Sequence, residues 1–201
     1  MTTIVAVAPT VEPVTLAEAK VWARVGVTDT SQDALIGLLI QAMREYAENL
    51  TGRAFVQRQL TRILTHWEHA IELESPPLIS VDSIKYLDVD GAEQTLAADQ
   101  YIVHTWLEPG IVVPQILTTW PSVYSQDDAI RVNYTAGYPA LGSPPDYVAN
   151  VPAAVKVWMQ ARLATLYDNR DQMVVGVSVQ QIPRDFCDGL LDSLIVGTRF
   201  G

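Results

Sequence analysis

Few side chains in this sequence have the types and spacing that chemistry requires. His66 and His69 form an H-x-x-H pair. On a helix that spacing sets two imidazoles over one metal ion. Here it falls at the end of a strand-like run, where residues three apart point to opposite faces, so the pair reads as edge or surface histidines. Asp88-Val89-Asp90-Gly91 is a fragment of a calcium loop. It lacks a third oxygen ligand before the glycine and a bidentate glutamate beyond it, and Asp90-Gly91 is better explained as a type I′ turn between two strands. Cys187, the single cysteine, stands between Phe186 and Asp188. The adjacent carboxylate disfavours a thiolate, and one thiol builds neither an internal disulfide nor a multi-thiolate zinc site. No G-x-S-x-G elbow, phosphate-binding G-x-x-x-x-G-K-S/T or dinucleotide-binding G-x-G-x-x-G occurs. The 23 acids offer many carboxylate pairs, but abundance does not define an acid–base site. The expectation is no catalytic residue, no cofactor and no metal.

The elements that would carry any site divide into three stretches. Thr15-Leu16-Ala17-Glu18 is a capping box, predicting a short helix to about Val25 with Gly26 behind it. A longer helix follows from about Gln32 to Leu50, with Leu35, Leu39, Ala42, Met43, Tyr46 and Leu50 as its apolar stripe and Gly52 as its C-cap. Leu38 and Ile40 widen that surface, so the helix packs on two sides or against another molecule. Alternation then replaces helical spacing. Thr61, Ile63, Thr65 and Trp67 suit a strand, and shorter candidates lie at 70–73, 83–89, 101–106, 110–113 and 129–134. After a Gly/Pro-rich loop, Pro152 opens a helix to about Asn169 with Val155, Met159, Leu163 and Leu166 on one face. A β-prone run, Met173–Val179, and a short amphipathic helix after Pro183 come last. The expected class is α+β. Residues 1–52 and 152–201 form a helical bundle with a C-terminal arm, and residues 53–151 form an inserted antiparallel β-sheet or small β-sandwich.

With 201 residues, of which 49% are apolar and 18% charged, a proper core is available without staples. Few charges remain to cover the surface, as suits a subunit whose sides are covered. The net charge of −10 repels phosphate and disfavours sequence-independent nucleic-acid binding. No apolar run approaches the ~20 residues that span a bilayer. The first thirteen residues carry no positive n-region, so no signal peptide is expected, and the chain is read as cytosolic at synthesis. Arg53, Arg58 and Arg62 fall within ten residues that contain no acid, whereas the stretch from Glu68 to Asp99 holds eight acids against Lys85, net −7. A basic edge and an acidic β region have the makings of a head-to-tail contact between copies; unrelated surface charge is the plainer account. The five tryptophans are core or interface anchors, and Met173–Val179 is either an arm that adds a strand to a neighbour or an internal edge strand.

The order of landmarks is similar to that of the phage head–tail connector (adaptor) family. The opening Glu12-Pro13-Val14-Thr15-Leu16-Ala17-Glu18-Ala19-Lys20 carries it. So do Thr51-Gly52-Arg53, Glu74-Ser75-Pro76-Pro77-Leu78-Ile79-Ser80-Val81, Ile130–Tyr134 with Ala136-Gly137-Tyr138, Val151-Pro152-Ala153-Ala154-Val155 and Leu166-Tyr167-Asp168-Asn169-Arg170. Together these cover about residues 12–170, and no single piece is specific. The resemblance implies a structural, non-enzymatic protein of the virion neck in a tailed phage or gene transfer agent. It implies a ring, usually of twelve copies, that binds the portal protein above and a stopper or tail-completion protein below, and passes DNA through its lumen without reading sequence. An acidic lumen lets DNA slide, because bound phosphates would have to be released at every step.

Arg53, Arg58 and Arg62 are candidates for contacts between copies. Val174, Val175, Val177, Phe186, Leu190 and Phe200 are apolar candidates in the last thirty residues, expected to reach the portal or a neighbouring copy. Two alternatives stay open: another neck or tail-completion protein, and a small hydrolase with a carboxylate site in the β region.

Overall fold

The computed structural model describes residues 2–169 and 188–197. The capping box forms as its sequence dictates. The Thr15 hydroxyl accepts from the Glu18 N–H at 3.2 Å, and the Glu18 carboxylate accepts from the Thr15 N–H at 2.8 Å. Those hydrogen bonds hold the Glu18 carboxyl below its ordinary range. The helix they start, α1 (Leu16–Trp22), stops before the expected Val25, because the backbone turns left-handed at Arg24. Lys20, only 3% exposed, fastens the loop that follows: its ammonium donates to the carbonyls of Val27 and Asp29 and pairs with Asp33 at the start of the next helix.

That helix, α2 (Asp33–Thr51), ends where Gly52 adopts φ 70° and donates its N–H to the Glu48 carbonyl, the left-handed cap that glycine accepts without strain. Its buried stripe is Ile36, Ile40, Met43 and Ala47; of the expected row, Met43 lies on it and Leu39 and Leu50 pack half-buried against the same core. Ala42 and Tyr46 are exposed, and Leu38 is 64% exposed. α3 (Ala153–Asp168) buries Val155, Trp158, Met159 and Leu163, while Leu166 faces outward. The three helices close one core, completed by Phe55, Val56 and, from the far end of the chain, Leu191.

Among the described residues eight strands make two sheets, every pair antiparallel, so the class is α+β with a β part of two sheets. The larger has β1 (Thr2–Val7), β2 (Arg58–Leu64), β8 (Ile130–Ala136), β4 (Leu78–Leu87) and β5 (Glu93–Thr95) in the order β1-β2-β8-β4-β5. The smaller has β3 (Ile71–Leu73), β7 (Gly110–Pro114) and β6 (Tyr101–His104) in the order β3-β7-β6. Both contribute to a second core, with Leu60, Leu64, Ile71, Leu73, Ile84, Val112, Ile130, Val132 and Tyr134 among its members. β2 lies three residues earlier than expected. Trp67 is not strand but turns over to stack on Trp120 at 4.6 Å, each indole donating to a loop carbonyl.

Two features depart from the sequence reading. Thr2–Val7, placed there with the helices, is an edge strand on β2, in register Thr2 with Ile63 through Val5 with Leu60. Asp90-Gly91 is not a two-residue type I′ turn. That turn needs two left-handed residues, and only Gly91 is left-handed. The loop is longer because the Asp88 carboxylate accepts from the N–H groups of Asp90 and Ala92, both at 3.0 Å.

At the exit of β8 the chain returns towards the helices through Gly137, whose φ is +117° and whose N–H donates to Pro77. A Cβ there would stand 2.5 Å from the Val56 carbonyl oxygen, and the obstacle is backbone. Gly137→Ala is therefore expected to lower unfolding free energy by about 2 kcal/mol or more, read from the urea midpoint. A loss under ~0.5 kcal/mol would mean that the crossing has slack.

Candidate functional site

The densest polar arrangement lies where α2, β1 and β2 meet. A cavity of about 590 Å³ there is lined by Val5, Glu12, Arg44, Glu48, Arg53 and Arg58 among others. Glu48 is its centre. One carboxylate oxygen accepts from the Phe55 N–H at 3.0 Å and pairs with Arg58; the other accepts from Arg44 at 2.9 Å. Arg44 also donates to Glu12 at 2.8 Å. Burial works against the Arg44 guanidinium's charge, yet Glu12 and Glu48 hold its pKa above the ordinary value. Glu48 is 7% exposed and Arg44 4%, so these ions are paired and hydrogen-bonded as burial requires. This is a structural tie, since each charge already has its partner.

Arg53 and Arg62 behave alike. Arg53 bonds the Leu194 carbonyl through Nε and Glu108 through Nη2. The Glu108 hydrogen bond raises the Arg53 pKa, and the same bond lowers that of Glu108. Arg62 pairs with Glu74 and donates to the Thr3 hydroxyl at 3.3 Å, which fastens β1 to β2. The three arginines expected as a basic outer edge thus have side chains only 11–12% exposed, each with a carboxylate of its own chain. Their partners lie 10, 12 and 55 residues away in sequence, which is why a local charge count reads them as a patch.

Leu190, in the turn Asp188–Leu190, is 38% exposed. The segment carrying it packs back on its own chain. Leu191 is buried among the helices, and the Val196 N–H donates to the Thr51 carbonyl at 2.8 Å. Val174, Val175, Val177, Phe186, Phe200 and Cys187 lie outside the described residues. His66 and His69 are both exposed, and among the described residues no group of three or more metal-binding side chains converges. Asp88 serves as the cap of its loop. Among the described residues every carboxyl with a displaced pKa is displaced downward, by hydrogen bonds and cations, whereas a general acid needs the opposite.

Several large apolar side chains face outward. Ile4, Val5 and Val7 on β1 are about half exposed. Trp106 is 75% exposed, and Ile116 and Leu117 are 76% and 101% exposed at the far end of the smaller sheet. Among the described residues β1 pairs with β2 alone, so its outer edge is open. The sequence reading missed this strand: a strand exposed on both faces has no alternation, and the only signal was its density of β-branched residues.

Two measurements check the ion pairs. Glu48→Gln removes one member of a buried network and is expected to cost about 3 kcal/mol in urea unfolding at pH 7. Glu108 is depressed in the folded state. Its contribution is therefore present above its unfolded pKa, near 4.5, and is lost as pH falls through the lower folded value. The stability gap between the wild type and Glu108→Gln should be constant from pH 6 to 8 and close as pH falls below 4.5 towards the lower folded value. A gap that widens on acidification would contradict the pairing.

Residues 13–86 match the model of the phage gp6-like head-tail connector protein family. No curated protein sequence matches the chain. In fold, the chain is similar to a protein in the neck of an empty gene transfer agent (GTA) particle computed with C6 symmetry. The TM-score is 0.76 at 18% identity, over 100% of this chain and 98% of that one. A chain from the virion of a native GTA particle gives 0.76 at 17% identity, with the same coverage. One from the neck of a native GTA particle computed with C12 symmetry gives 0.63 at 18%, over 97% of each. At such identities the likeness speaks for the fold. The chain thus resembles the phage gp6-like head-tail connector proteins in sequence over residues 13–86, and shares the fold of these neck and virion proteins along its length.

Proposed function

We propose that this chain is a structural head–tail connector: copies of it form a ring in the neck of a tailed particle, and its work is done by contact rather than by transforming a molecule. The observation that carries this reading is the conjunction of the connector-family match at residues 13–86 with the fold shared over 98% of a GTA neck protein. The C6 and C12 symmetries computed for the similar necks support a cyclic assembly of twelve copies. A ring of identical subunits needs two different patches on each, one docking on the other around the axis.

Within that role the ring stands below the portal protein, above a stopper or tail-completion protein, with DNA passing through its lumen. A net charge of −10 suits a channel that must not hold phosphate. The β4–β5 hairpin offers exposed acids for such a wall in Asp90 and Glu93, with Asp88 half-buried beside them. Hydrogen bonds from Gln94 and the loop backbone lower the Asp88 pKa, and Lys85 lowers that of Glu93. The helical part, α1 to α3 with residues 188–197, acts as one unit. The β part between them is an insertion to which the N-terminal strand β1 returns, and the separation of the two cores supports that division.

Particles assembled without this chain are expected to contain packaged heads with portal but no attached tail, and restoring the chain should restore tails, both counted by negative-stain microscopy. Tails joined normally in its absence would overturn the reading.

A further inference from the structure

We propose that the open edge of β1 is the acceptor for a strand supplied by residues 173–179 of a neighbouring copy; this rests on the ring reading above. Thr2–Val7 is a six-residue strand with no charge and no proline, paired on one side only among the described residues, and exposed on both faces. Soluble proteins blunt such edges with lysine, proline, bulges or covering elements. Here the single irregularity is a register shift between Val5 and Val7, and the apolar side chains Ile4, Val5 and Val7 stay about half exposed. An edge so bare is a template for an added strand, whose backbone hydrogen bonds give affinity and whose alternate side chains fill the exposed positions.

The donor follows from symmetry and sequence. Two β1 edges pairing with each other form an isologous contact, which closes at a dimer and leaves no patch for a third copy. Closing a ring through β1 therefore needs a different segment as donor. The opposite edge of the same sheet, β5, has three residues and carries Glu93, already paired with Lys85. Met173-Val174-Val175-Gly176-Val177-Ser178-Val179 is instead seven uncharged residues, four of them valine. It is one residue longer than β1 and, like β1, carries no charge. It also has 18 residues of chain, 170–187, between the described ends at Asn169 and Asp188. At roughly 3.3 Å per extended residue, an out-and-back excursion of that length reaches about 30 Å from the described ends.

The test uses single-cysteine chains in a Cys187→Ser background. One population carries Val5→Cys; the other carries a cysteine at one of positions 174–179 in turn. The two are co-produced during particle assembly, and the purified particles are oxidised. Mixed disulfide dimers are expected, with a yield that alternates with a two-residue period along 174–179, because facing residues of paired strands bring their Cβ atoms within ~5.5 Å. Ile4→Lys, a surface change, should cut incorporation at least tenfold while leaving the circular dichroism and melting temperature of the isolated chain unchanged. Three results overturn the inference while leaving the ring reading intact: chains incorporated without mixed dimers, dimers between two Val5→Cys chains only, or cross-links confined to one chain in the doubly substituted protein. Absence of the wild-type chain from particles overturns both.

Discussion

The structure turns on one carboxylate. Glu48 sits in the last turn of α2, where the chain leaves the helical layer, and it grips Phe55 and Arg58 on the segment that enters the sheet. Arg44, one helical turn earlier, carries the tie on to Glu12 at the N-terminal side. The N-terminal segment, the helical layer and the entry to the sheet, which span two apolar cores, are thereby held at one angle by a group that cannot let go of any partner cheaply. Removing a partner from a buried pair leaves a charge without water or counter-ion. Apolar packing alone is less directional: it would let the helices and sheets slide, whereas a carboxylate with three fixed donors accepts one arrangement.

Much of the fold was legible wherever the physics is local. The capping box at Thr15 and Glu18, the left-handed cap at Gly52, the helix opening after Pro152 and most of the strands follow from rules that act within a few residues. The failures share a cause. The stripe of α2 was only partly placed: Met43 lies on it and Leu39 and Leu50 pack against it, but Leu35 and Tyr46 are as apolar as Ile36 and Ile40, and only the position of α3 decides which row is covered. β1 was missed because a strand bare on both faces has no alternation to read. The arginines were misread because their acids arrive from elsewhere: Glu108 reaches Arg53 across 55 residues. Of the candidate residues, Arg53, Arg58, Arg62 and Leu190 proved locatable. Each of the arginines had an internal task that no count of local charge reveals.

That internal use of charge shapes what the exterior can do. In a chain with 13 basic and 23 acidic residues, Lys20, Arg44, Arg53, Arg58 and Arg62 are tied down within the subunit. The outward surface is left with an excess of acid and with isolated apolar groups such as Trp106 and Leu117. Copies bearing like charge repel at long range, so in the proposed ring their association falls to forces that act at contact, through apolar area and backbone hydrogen bonds.

Such a division of labour suits the proposed role, a wall through which a polyanion travels. Ion pairs between subunits would be in competition with passing phosphates and screened over about 8 Å at physiological ionic strength. Buried pairs inside each subunit are screened much less, and apolar or backbone contacts between subunits offer phosphate nothing to exchange. A sheet edge adds direction to that scheme. Backbone pairing has a defined polarity and a defined register once alternate side chains choose a face. It can therefore fix the angle between neighbours, as Glu48 fixes the angle within each, and the angle is the quantity on which closure of a ring depends.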